Sequence, residues 1–205
     1  KLGQHFLKNP QKIKEIIDSL AIEPKETIIE IGSGRGALTF SILDAIKGLK
    51  DVQLIAIEKD PALAAILKKQ TTGNKQFKLI VGDIRQELEK ITNDKKLITN
   101  DYKIVGNIPY YLTGYLLRQI SELKEKPKTI ILTVQKEVAE RIIATPRTRR
   151  RQGYGGQGMN LLAASVQFWA EPKNHRLDRS PRIPAGAQSR FGDNQNFSKI
   201  PATSR

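Results

Sequence analysis

The stretch Thr27-Ile28-Ile29-Glu30-Ile31-Gly32-Ser33-Gly34-Arg35-Gly36 constrains the fold of this chain more than any other. A β-branched run is followed at once by three alternating glycines. Residues 37–46 come next, with Leu38, Ile42, Leu43 and Ile46 at helical spacing. Strand, glycine turn and helix make a βα unit. Glycines serve where the backbone turns tightly and a ligand must approach it closely. The start of the following helix offers N–H groups to such a ligand. Taken alone the turn is equally a plain tight connection, so its meaning depends on whether the rest of the chain repeats the unit.

The repeat is there. Asn9-Pro10 reads as an N-cap and first helical residue, followed by apolar Ile13, Ile16, Ile17 and Leu20 up to a stop at Pro24. Residues 52–57 form a strand ending in Glu58, and Asp60 caps a helix over 61–69. A third strand over 77–81 leads into Gly82-Asp83 and a helix over 84–91. A fourth over 102–106 leads into Asn107, with a helix over 113–123, a fifth strand over 129–134 and a helix over 136–143. This alternation predicts an α/β fold, a doubly wound and mostly parallel sheet with helices on both faces, over residues 1–144. The pattern then changes. Residues 145–160 include RTRRRQGYGGQG, an Arg/Gly-rich linker or insertion. Residues 161–171 read as a last core strand, and 172–205 as an irregular basic tail.

Composition narrows the function classes. The chain has no cysteine, which excludes disulfides and thiolate metal sites; no metal is expected, and the usage fits a reducing cytoplasm. No apolar run approaches the ~20 residues of a membrane span, and no secretory apolar segment is expected. The net charge is +14, of which residues 145–205 carry +8. That balance favours a polyanionic partner, most simply nucleic acid, as readily as it describes a solvated basic surface.

The strand ends carry the chemistry. Glu58 lies 22 residues after Gly36, where a carboxylate at the end of the second strand accepts hydrogen bonds from ribose hydroxyls. Asp83 suits an adenine amino group, a helix N-cap, or both. A dinucleotide calls for G-x-G-x-x-G, whereas Gly32-x-Gly34-x-Gly36 is one residue shorter and is preceded by Glu30. An acid there suits a cation better than a pyrophosphate, which points to S-adenosyl-L-methionine. On the substrate side stands Asn107-Ile108-Pro109-Tyr110, followed by Tyr111. The Asn107 side-chain oxygen and the Ile108 carbonyl are acceptors for an exocyclic amine. Pro109 braces the loop. Tyr110 gives a face for an extruded base. The competing reading makes Asn107 a strand cap and both tyrosines core.

The segments GQHFL (3–7), EIGSGRGALT (30–39), IEKD (57–60), GDI (82–84), NIPYYLTG (107–114) and TVQKEVAERI (133–142) resemble, in order, those of the ribosomal RNA adenine N6-dimethyltransferases. The resemblance is to the branch that acts on small-subunit rRNA. It implies a Rossmann-like S-adenosylmethionine-dependent methyltransferase fold. It also implies cofactor contacts from His5, Leu7, Gly32, Gly34, Glu58, Asp83 and Asn107, with catalysis at Asn107, Ile108, Pro109 and Tyr110. The implied activity is dimethylation at N6 of two adjacent adenosines during ribosome biogenesis. The implied partner is small-subunit rRNA or a pre-assembled small subunit, and a cytoplasmic monomer is expected. Downstream only Ile183-Pro184-Ala185-Gly186-Ala187 matches the family's next motif; QSRFGDNQNFSKIP (188–201) stands where its final strand belongs, and the family's small C-terminal helical domain is expected to be missing. Two alternatives are a cofactor-binding but catalytically impaired ribosome-binding protein and a large-subunit rRNA methyltransferase of the antibiotic-resistance branch. An NAD-dependent oxidoreductase is disfavoured by the glycine spacing.

Overall fold

A computed structural model describes residues 9–98, 101–144, 161–168, 170–175 and 195–201. Helix α1 (Pro10–Leu20) starts as its sequence dictates: the Asn9 side chain accepts from the N–H groups of Gln11 and Lys12, with Pro10 in the first turn. Five βα units follow. They comprise β1 (Thr27–Ile31) with α2 (Ala37–Ile46), β2 (Gln53–Glu58) with α3 (Pro61–Gln70), β3 (Phe77–Val81) with α4 (Ile84–Asn93), β4 (Tyr102–Asn107) with α5 (Tyr110–Glu122), and β5 (Thr129–Gln135) with α6 (Lys136–Ile142).

The sheet order is β3-β2-β1-β4-β5, all parallel, extended beyond β5 by two antiparallel strands, β7 (Gln195–Pro201) and then β6 (Lys173–His175). Strand alternation divides the core. Ile28 and Leu54 pack with Ile16 and Leu20 of α1 and with Leu38, Ile42 and Ile46 of α2. Ile29, Ile31, Ile55 and Ile57 pack on the other face with Leu88 of α4, Leu116 and Ile120 of α5 and Ile142 of α6. Strands sandwiched between helices on both faces are buried along their whole length, which is why β1 reads as a continuous apolar run rather than an alternation. The chain winds outward from β1 through β2 and β3, then returns to the other side of β1 with β4 and β5. The reversal point lies between β1 and β4.

Two sequence expectations are corrected. Residues 161–167 form helix α7 (Leu161–Gln167), not a last core strand. Leu-Leu-Ala-Ala is a helix-forming sequence, and the buried positions Ala163 and Val166 are three apart while Leu161 and Phe168 face solvent. Short apolar runs do not separate strand from helix by periodicity. The Gln167 side chain also donates to the carbonyls of Ile142 and Ala144, at 2.9 and 3.1 Å, satisfying acceptors at the end of α6. Second, the region 172–205 is not wholly irregular, because β7 completes the edge beside β5 with seven paired positions, from Thr129↔Pro201 to Gln135↔Gln195. A final strand is thus present within QNFSKIP. Backbone pairing with an open strand edge supplies the stabilisation there, which an apolar-pattern reading does not register. The Arg/Gly-rich stretch and residues 183–187 lie outside the described residues.

Candidate active site

In an open parallel sheet, ligands bind beyond the carboxyl ends of the strands, at the point where the strand order reverses. Here that crevice is formed by backbone hydrogen bonds. β1 and β4 stay paired up to Ile31↔Gly106. Beyond that pair the two chains part. Gly32 N–H donates to the Ile57 carbonyl at 2.9 Å, drawing the β1 exit toward β2. Ile108 N–H donates to the Thr133 carbonyl at 3.1 Å, drawing the β4 exit toward β5. Gly82 N–H in turn reaches the Glu58 carbonyl at 2.9 Å. The glycine turn and the Asn107 loop therefore face one another across the reversal point.

The floor of this crevice depends on a glycine that sequence reasoning treated only as part of a strand. A Cβ on Gly106 would lie 2.8 Å from the Ile31 carbonyl oxygen and 2.8 Å from Ile108 Cδ1. The first is backbone and cannot move aside. A lone glycine in a β-branched strand was the available signal for close approach. Gly106→Ala is expected to cost about 1–3 kcal/mol, seen as a lower unfolding midpoint in urea. An unchanged midpoint would show that the two strands can separate freely at this pair.

On the acidic side, Gly32, Gly34 and Gly36 all take positive φ, of +70°, +57° and +85°. At Gly36 the requirement is also steric, since a Cβ would stand 2.5 Å from Phe40 and 2.8 Å from Leu67. Glu58 clamps the turn. Its Oε2 accepts from Gly34 N–H at 2.7 Å and its Oε1 from Asp60 N–H at 2.8 Å. A carboxylate has about four acceptor positions, so two remain. Asp83 caps α4 through Arg85 N–H at 3.0 Å, and its carboxylate also holds the Arg85 guanidinium at 2.6 Å and Lys59 Nζ at 3.0 Å. The Arg85 bonds, then Lys59, keep the Asp83 carboxyl well below the usual carboxylate range. The N-cap reading of Asp83 holds.

Glu30 is the least ordinary group. It is buried on the sheet face toward α2, where Thr39 Oγ1 donates to its Oε2 at 2.6 Å. Among the described residues Oε1 has no hydrogen-bond partner, and neither does Ser33 Oγ in the turn. Burial raises the Glu30 carboxyl to about 7, helped by the nearby charge of Glu58. A polar Thr39 on an otherwise apolar helix face is the mark that this pairing leaves in the sequence. A pKa raised from 4.5 to about 7 means that the stability contributed by neutral Glu30 is complete below pH 4.5 and is lost as pH rises through 7. The loss is on the order of 3 kcal/mol. Thermal unfolding of the unliganded protein should therefore fall across this window, and Glu30→Gln should remove that part of the slope.

On the substrate side, Asn107 ends β4 opposite Thr133 and is half-buried. The Ile108 side chain is anchored in the core. The Pro109 carbonyl accepts from Leu112 N–H at 3.0 Å and from Thr113 Oγ1 at 3.4 Å, so it starts α5. The helix accordingly begins at Tyr110, three residues before the expected start at 113. Tyr110 and Tyr111 are 59% and 65% exposed, which rules out the reading that makes them core. The sheet edge thus brings together Gly32, Gly34, Glu58, Asp83, Asn107, Ile108, Pro109 and Tyr110. His5 and Leu7 lie outside the described residues.

A parallel sheet in this strand order, with an acid-bearing glycine turn on one side of the reversal point and a polar-aromatic loop on the other, is the Rossmann-like methyltransferase fold. Solved structures share it. A 23S rRNA methyltransferase, ErmE, superposes with a TM-score of 0.68 at 19% identity, covering 98% of this chain and 70% of its own. A dimethyladenosine transferase from Plasmodium falciparum gives 0.67 at 23% identity, covering 97% and 64%. The chain belongs to the ribosomal RNA adenine dimethylase family, whose model matches residues 1–155. Among its relatives, a ribosomal RNA small subunit methyltransferase A from Dehalococcoides mccartyi is 36% identical over 173 residues, 83% of this chain. The chain spans about half of that relative's length, 53%.

Proposed function

We propose that the protein transfers methyl groups from S-adenosyl-L-methionine to N6 of adenosine in small-subunit ribosomal RNA, two adjacent adenosines being the target. The observation that carries this reading is the placement of Glu30 and Glu58 on one side of the reversal point and Asn107-Ile108-Pro109-Tyr110 on the other. The residues fit the cofactor. Among the described residues the buried Glu30 Oε1 and Ser33 Oγ lack partners beside the glycine turn, and two carboxylates in the neighbourhood favour a cation over a pyrophosphate. Glu58 would hold the ribose and the turn of Gly32 and Gly34 the amino acid portion; Asp83, whose acceptor positions are taken by Arg85 and Lys59, would hold the adenine amine in exchange for one of those bonds. When bound, S-adenosylmethionine supplies a methyl group made electrophilic by the sulfonium.

The work of the chain is to present the acceptor nitrogen. An adenine amine is a poor nucleophile because its lone pair is delocalised into the ring. Hydrogen bonds accepted by the Asn107 side chain and the Ile108 carbonyl orient the N–H groups and leave the lone pair toward the donor. Pro109 fixes the loop, and exposed Tyr110 stacks on the extruded base. No base is needed at the attack, since the proton leaves after the nitrogen is alkylated. Affinity for the cationic donor should rise with pH through about 7 as Glu30 ionises, and calorimetry on Glu30→Gln should show a flatter profile.

The small subunit is favoured over the large because the relatives bearing the small-subunit name reach 36% identity across most of this chain. A cytoplasmic monomer suits such a substrate. The alternative of a cofactor-binding but impaired ribosome-binding protein is separated by one assay: transfer of labelled methyl groups to unmethylated small subunits, with large subunits as control. Label on small-subunit adenosines is expected. Cofactor binding without transfer would leave the binding-protein reading, and label on the large subunit would move the assignment to the other branch.

A further inference from the structure

We infer that the outer stripe of α5, Tyr111 and Tyr115, together with the Lys59–Asp83–Arg85 cluster, is a docking platform for the single-stranded RNA that flanks the target adenosine. This rests on the adenine-methylation reading above.

Tyr111 and Tyr115 are one helical turn apart, and Arg118 continues the same stripe. Thr113, Leu116, Leu117 and Ile120 fill the opposite, buried side of the helix. Tyr111 is 65% exposed and Tyr115 48%. Large aromatics standing side by side on a surface mark a binding face more often than chance. The platform begins one residue after Tyr110, at the rim of the crevice. A nucleotide entering the crevice has RNA on both sides of it, and that chain must cross the rim.

The charge beside the rings fits RNA. Gln119, one turn beyond Tyr115, donates its side-chain N–H to the Arg85 carbonyl at 3.0 Å, which fixes α5 against the start of α4. The Arg85 guanidinium is held flat against Asp83 by two bonds, Nε–Oδ1 at 3.0 Å and Nη2–Oδ2 at 2.6 Å. An arginine has five N–H donors, so others remain for phosphate. Lys59 joins the same carboxylate at 3.0 Å and is itself largely exposed. Two cations share one anion at this point. Lys59 and Asp83 are of the residue types depleted at the core of protein–protein interfaces. Aromatic faces with adjoining cations are the recurrent means of holding single-stranded RNA.

The test uses fluorescence anisotropy of the full chain with a short labelled single-stranded RNA carrying two adjacent adenosines. The doubly substituted variant Tyr111→Ala/Tyr115→Ala should bind at least ~10-fold more weakly than the wild type. Tyr111→Phe/Tyr115→Phe should bind as the wild type does, because the rings remain. Calorimetric affinity for S-adenosylmethionine should not change in either, which shows both variants folded. Wild-type binding by the alanine variant would overturn the platform, as would equal loss in the phenylalanine variant. Loss of binding to small subunits with unchanged binding to the oligonucleotide would assign the face to a protein and also overturn it. Methyl transfer by the wild type to small subunits separates the two readings. If it proceeds while the alanine variant binds RNA normally, the platform alone fails. If the wild type neither binds RNA nor transfers methyl, both fail.

Discussion

Replacing Asn107 with alanine is expected to slow methyl transfer by at least ~100-fold, the scale on which removal of one pre-positioned polar partner of a reacting group is felt. Cofactor affinity should fall far less. The expectation follows from the supports of the residue. Asn107 is the last residue of β4, in register with Thr133. The next residue is fixed twice over, by its N–H to the Thr133 carbonyl at 3.1 Å and by its buried side chain. Truncation at 107 removes an acceptor while both anchors of residue 108 stay in place. On the cofactor side, the Glu58 clamp on Gly34 and Asp60 does not pass through Asn107. Asn107→Asp, which keeps acceptor oxygens at the same place, should recover part of the rate. Single-turnover transfer to unmethylated small subunits, with calorimetry in parallel, makes the comparison. A variant with undiminished turnover would remove Asn107 from catalysis.

The second large effect concerns stability and lies at the opposite edge of the sheet. Glu26, just before β1, and Lys103, the second residue of β4, form an ion pair at 2.6 Å with both side chains almost fully buried. Lys103 also donates to the Ala21 carbonyl at 2.7 Å, and Glu26 accepts from Glu23 N–H at 2.8 Å. Lys128 approaches the free oxygen of Glu26 at 3.4 Å from the start of β5. Removing one member of a buried pair leaves the other charge without compensation, at a cost of about 3–5 kcal/mol. Glu26→Ala should lower the unfolding temperature by roughly 10 °C for a domain of this size. Replacing Glu26 and Lys103 together by apolar residues should cost less than the sum of the two single changes, since no lone charge is left inside. Additive losses would show that the pair is not coupled. Binding of S-adenosylmethionine by whatever protein remains folded should be unaffected, because the pair lies at the amino ends of the strands and the proposed site at their carboxyl ends.

How much of this was legible beforehand varied with the range of the interaction concerned. Asn9 and Pro10 specify the start of α1 by themselves, because a cap is made within three residues. The five βα units, the glycine turn, and the acid or amide at each strand end could likewise be read, since helical and strand periods are written along the chain. Legibility failed where a local pattern supports two structures. Residues 161–167 are apolar enough for either element, and the helix formed because Gln167 meets the end of α6 and Ala163 and Val166 find a core. The strand over 195–201 has little apolar pattern and exists through pairing with β5. Tyr110 and Tyr111 carried no mark separating a core role from an exposed one until α5 was seen to begin at Tyr110.

The sequence by itself determined the alternating architecture, the polarity of the sheet and the residues at its carboxyl edge, because each follows from spacing over a few residues. Only the tertiary structure decided what those residues face. The Ile31 carbonyl that forbids a side chain at Gly106, the Thr39 hydroxyl that shares a buried Glu30, and the Lys103 that neutralises Glu26 are all brought to their partners by strand order and helix packing. Burial then gives those contacts their energy, by stripping water from groups that the chain alone would leave solvated.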